Sequence, residues 1–167
     1  MAGGSRTSIA DWFVEHRLTD GAWNCSWVQG SRRSSFHSTL NSLFGILDHE
    51  TRRGGSPALQ QARRDGEEYL LQRGLMRRLS TGEVHAPWAT HFAYPYRYLY
   101  SVLRAADYFR AASLHDGRRP DDRKAEALKL IRCRERPRRD LAPTAAPRGP
   151  HLVRRRQQSR LGPIPFS

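Results

Sequence analysis

Cysteine, lysine and long apolar runs are all scarce in this chain of 167 residues. Two cysteines, Cys25 and Cys133, are too few for a disulfide scaffold. No stretch approaches the roughly 18 apolar residues that a membrane helix needs, and no apolar run follows Met1–Thr7 as it would in a signal peptide. A soluble cytoplasmic protein with no membrane span is therefore expected. Lysine occurs only at Lys124 and Lys129, so the positive charge is carried by arginine. A bias toward Arg, Ala, Gly and Pro is what GC-rich codons give, and it describes the gene rather than a function.

The formal charge of +13 is unevenly placed. Residues 132–167 hold ten arginines against Glu135 and Asp140, together with six prolines. That segment has almost no apolar periodicity and cannot bury enough surface to offset its ordering entropy. A disordered tail is expected there. Two explanations stand for the abrupt change after Ile131. One is a basic tail, with Arg154-Arg155-Arg156 binding nucleic acid or another anionic surface. The other is a reading frame shifted after about residue 131, which makes the chain a fragment.

Residues 8–131 are helical in pattern. Ser8 or Thr7 caps a first helix through Ile9, Trp12, Phe13 and His16, which ends at Thr19-Asp20-Gly21. An irregular loop follows to about Arg33. Ser34 or Ser35 then caps a helix whose apolar stripe is Phe36, Leu40, Leu43 and Leu47, closed at Arg52-Arg53-Gly54-Gly55. Ser56-Pro57 opens a third helix with Ser as N-cap and Pro in the first turn; Gly66 weakens it and Gly74 closes it. The alternation of Phe92, Tyr94, Tyr96, Tyr98 and Tyr100 suits a strand, but Pro95 would remove a ladder hydrogen bond. A helix over residues 95–112 is predicted instead. A fifth helix begins at Pro120 or Asp121 and runs through Ala125, Leu128 and Ile131.

Aligning Trp12-Phe13 with Tyr69-Leu70 reveals a period of 57 residues: helix, long loop, helix, twice, then one more helix. The expected fold is all-α, built from antiparallel helical hairpins. DGAWNCSW with SSFHSTLNSL, then EEYLLQRGLMRRLSTGEV and YPYRYLYSVLRAADYF, resembles the α/α-toroid superfamily of terpenoid cyclases and protein prenyltransferase β subunits. The nearest likeness is to bacterial proteins of the prenyltransferase and squalene oxidase repeat type. The Asp-Gly-x-Trp turn occurs once, at Asp20, Gly21 and Trp23; Ser80-Thr81-Gly82-Glu83 stands in its place in the second unit. The resemblance implies outer helices near 9–18, 57–73 and 121–132 and inner ones near 35–51 and 95–112. A closed toroid takes about five or more hairpins, so two and a half make an incomplete one with open repeat ends, through which self-association is expected.

What the resemblance implies about chemistry is weighed against the residues present. The cyclase acid motif Asp-x-Asp-Asp is absent; Asp121-Asp122 is explained by the helix dipole. Zinc would call on Asp20, Cys25, His37, His49, His85 and His91, but their spacing does not match the prenyltransferase motif. Cys25 with His37 as a thiol–imidazole pair lacks an orienting carboxylate. Activity of this chain alone is therefore not expected, and no cofactor is expected, with zinc as the alternative. The resemblance makes Trp23, with Trp12, Trp27, Tyr69 and Trp88, packing residues between repeats. It makes His37, Asn41, Phe44 and Asp48, with Tyr96, Tyr100 and Asp107, lining of a cavity for an isoprenoid-like ligand; the alternative for this strip is a solvent face.

Overall fold

The structure is a computed structural model that describes residues 8–134 apart from Tyr94 and Tyr96. The expectations for Tyr96 and for residues 135–167 lie outside the described residues. Five α-helices follow one another: α1 Ile9–Glu15, α2 Phe36–Arg53, α3 Pro57–Leu71, α4 Val102–Asp116 and α5 Ala125–Arg134. Short 3₁₀ turns at Cys25–Gln29, Pro87–Thr90 and Asp122–Lys124 interrupt the connections. Among the described residues there is no strand, only an isolated antiparallel bridge between Arg77 and Val84. No described helix is long and apolar enough to cross a membrane.

Local chemistry sets the helix starts. Ser8 and Asp11 form a reciprocal capping box on α1. The side chains of Ser35 and Ser56 accept from Ser38 N–H and Leu59 N–H at the starts of α2 and α3, and Pro57 occupies the first turn of α3. Asp121 accepts from Arg123 N–H ahead of α5. That helix continues to Arg134, past the expected boundary at Ile131. The next proline is Pro137, and Arg132 and Arg134 in the last turn suit the negative helix end.

Two expectations are corrected. The loop after Gly21 is not irregular throughout: Asn24 accepts from Ser26 N–H and caps the turn Cys25–Gln29, which Gly30 closes in a left-handed conformation. The helix expected over 95–112 begins seven residues later. Ser101 Oγ caps α4 by accepting from Arg104 N–H at 3.2 Å. Just before it, Tyr100 is 1 % exposed and its hydroxyl donates to Leu75 O at 2.5 Å. Drawing that ring into the core holds the chain extended at Ser101, while Arg97 has a φ of 46°, outside the helical region.

The core forms where α2 packs against α1, α3 and α4, with α1 also on α3 and α5 on α4. Leu40, Leu43, Ile46, Leu59, Leu70, Val102 and Tyr108 are fully enclosed; each such aliphatic side chain contributes roughly 1.5–3 kcal/mol by leaving water. Trp23 joins three helices. Its indole N–H donates to Phe13 O at 2.9 Å, and its backbone meets Thr39 Oγ1. Its six-membered ring lies on α3 at Gly66, where a Cβ would sit 2.5 Å from Trp23 Cζ3. The glycine that weakens α3 by sequence is thus the recess that admits the tryptophan.

Candidate functional site

Three places gather chemistry. The first is an aromatic cluster at the start of α2. Phe36 contacts the rings of Tyr69, His85, Trp88 and Tyr100, and His37 lies edge-on to Trp88 at 4.5 Å between ring centroids. Burial holds the pKa of His37 below its ordinary value, helped by Arg104 and His85. His85 is held down by burial as well, with Arg78 and Arg73 adding to it. Both imidazoles therefore favour the neutral form and act as packing rings.

The second is a buried ionic hub. Arg63 is 2 % exposed and meets three carboxylates from three helices: Glu50 at 2.7 Å, Glu67 at 2.7 Å and Asp116 at 2.6 Å. Tyr108 donates its hydroxyl to Glu67 at 2.7 Å. Burial alone would lower the Arg63 pKa, but the hydrogen bond to Asp116 and the charge of Glu67 outweigh it and raise it. The Arg63–Glu50 contact is close without being aligned, and both Glu50 carboxylate oxygens lack a hydrogen-bond partner among the described residues.

The third is an apolar groove of about 530 Å³ between α4 and α5. Its walls are Leu103, Ala106 and Leu114 from α4 and Leu128 and Ile131 from α5, with Pro120 at one end. Arg110, Arg118 and Lys124 also line it. A groove of this size and lining falls in the range of small-molecule sites, roughly 300–1,000 Å³. A smaller pocket of about 120 Å³ adjoins it and shares Ser113, Arg118 and Lys124 with it.

The residues expected to line a cavity are placed as follows. Asn41 donates to His37 O at 2.8 Å and Tyr98 O at 3.1 Å, and accepts from Arg104 at 2.7 Å. Phe44 packs on Tyr108, and with Asp107 it lines an open pocket of about 430 Å³ beside Pro95, Arg97 and Arg104. Asp48 pairs with Arg52 on the surface. Tyr100 is buried in the core and lines a small pocket of about 40 Å³ with Trp88 and His91. Asp107, paired with Arg110, also lines the α4–α5 groove.

The residues considered for zinc are not gathered. Asp20 accepts from Ser34 N–H and from its hydroxyl. Cys25 is exposed, His37 and His85 belong to the aromatic cluster, and His91 lines a small pocket with Trp88. Among the described residues no three His, Cys, Asp or Glu side chains form a metal-holding group. The tryptophans pack. Trp12 stacks on His16 and meets Trp27 edge-on, Trp88 sits in the aromatic cluster, and Tyr69 donates to Ser34 O at 2.8 Å.

Sequence reasoning missed the groove and the hub. Its signal for the groove was Lys124, one of two lysines, four and seven residues before Leu128 and Ile131 and so on the same stripe of the chain. Arg63 carried no such mark, because a surface arginine looks the same in a sequence. Comparison with protein-family models, curated proteins and solved structures gives no match to this chain.

Proposed function

We propose that this chain is a helical repeat protein of the terpenoid cyclase and prenyltransferase-like type, which takes up an apolar, isoprenoid-like ligand and performs no catalysis by itself. The groove between α4 and α5 carries this reading, since it is an apolar-walled recess of about 530 Å³ that opens to solvent. The packing of α1 on α3 and of α2 on α4 brings together the helices that the repeat pairs, although their ends stand 56 and 63 residues apart and not at one fixed period. An incomplete toroid also leaves the free flank of α4 and α5 for a second copy of the chain.

The test is calorimetric titration of the full chain with a neutral isoprenoid alcohol. Saturable binding with a negative heat-capacity change is expected, and it should be lost when Leu128→Arg places a charge in the groove wall. Absence of binding by the unsubstituted chain would sink the reading. A second reading, favoured by the arginine excess of residues 132–167, is binding to nucleic acid or another polyanion. Its signature is an affinity that falls steeply with added salt, which the uptake of a neutral alcohol does not share.

A further inference from the structure

Lys124 stands apart from the other buried charges. As a whole residue it is 5 % exposed; its ammonium, which still reaches solvent, has no hydrogen bond and no ion pair among the described residues and lies over the face of Phe109 at 5.1 Å. Buried lysines are normally paired. The carboxylates around the smaller pocket are each engaged elsewhere: Glu67 and Asp116 with Arg63, and Asp121 with Arg123. Burial lowers the Lys124 pKa, while Asp121 and Glu67 oppose this from beyond ion-pair distance.

The position of this cation matters as much as its lack of a partner. Lys124 lines both the apolar groove and the smaller pocket, so its side chain lies where the two meet. Arg118 lines the same junction and is held only by a 3.8 Å contact to Asp116. On one side the walls are apolar, Leu103, Leu114, Leu128 and Ile131; on the other stands the Lys124 ammonium, with Arg118 and the exposed Arg119 on the rim of the smaller pocket.

We propose that the groove takes a singly charged anionic amphiphile, a long-chain carboxylate, whose tail lies along Leu103, Leu128 and Ile131 and whose carboxylate pairs with Lys124. The proposal rests on the reading of the groove as an apolar-ligand site and names the ligand's polar end. A charge-assisted bond is about twice as strong as a neutral one, which makes the head group, and not the tail alone, decide what binds.

The experiment compares three probes of equal chain length on the full protein by calorimetry, below their aggregation concentrations: a fatty carboxylate, the corresponding alcohol and the corresponding alkyltrimethylammonium. The expected order is carboxylate, then alcohol, then ammonium, with the carboxylate ahead of the alcohol by roughly tenfold or more. Lys124→Met should bring the carboxylate down to the alcohol's affinity while leaving alcohol binding in place. Lys124→Arg, which keeps the charge, should retain the preference. Equal affinity for carboxylate and alcohol, or a preference that survives Lys124→Met, overturns the assignment of the head group and leaves the apolar site standing. Failure of all three probes to bind overturns both. Sedimentation of the same samples adds one further outcome: a dimer that forms through the groove and is abolished by Leu128→Arg makes a second copy the occupant and overturns the amphiphile.

Discussion

A methyl group added at Gly66 would meet Trp23 Cζ3 at 2.5 Å and Leu43 Cδ2 at 3.1 Å. Two effects then compete. Replacing a helical glycine by alanine favours the helix by about 1 kcal/mol, whereas overpacking a closed core costs about 1–3 kcal/mol. The indole has little freedom to yield, because its N–H is bound to Phe13 O and it is 2 % exposed. Gly66→Ala is therefore expected to destabilise the chain by about 1–2 kcal/mol net, read as a lower urea midpoint with an unchanged slope. A gain in stability would show that Trp23 does not press on α3. The tryptophan's packing role was visible in the sequence because Asp20, Gly21 and Trp23 form a turn motif. The glycine's role was not, because its partner lies 43 positions away in the sequence.

At the scale of the helix, boundaries were legible wherever a cap and the apolar period agreed. Ser8, Ser35 and Ser56 each stood before an apolar stripe, and each caps the helix expected. The start of α4 was hidden because two local signals disagreed. Pro95 invited a helix start, which placed Ser101 inside the helix predicted over 95–112; the burial of Tyr100 against Leu75 decides in favour of Ser101. Ser101 is 4 % exposed, so its cap bond is shielded from water. Ser101→Ala should cost about 1–2 kcal/mol, at the upper end for a lost N-cap, whereas Ser101→Asn or Ser101→Asp should retain more. Backbone amide exchange in the first turn of α4 checks this: Arg104 N–H should lose protection first, and unchanged exchange there would contradict the cap.

Across the whole molecule, the all-helical character and the order of the helices were legible and the contact that ties them together was not. Periodicity marks which residues face inward, but it cannot mark a charge that is buried with its partners. Glu50 belongs to α2, Arg63 and Glu67 to α3, and Asp116 to the end of α4, so one guanidinium links three helices spread over 67 residues of sequence. Removing it alone leaves three carboxylates close together in a poorly solvated place, a loss on the order of 3–5 kcal/mol. Arg63→Met keeps most of the volume and isolates the charge. Urea unfolding of parent and variant measures the loss, with tryptophan fluorescence reporting the region around Trp23 and circular dichroism reporting the helices. A loss well under about 1 kcal/mol would mean that the guanidinium and its three carboxylates do not hold α2, α3 and α4 together.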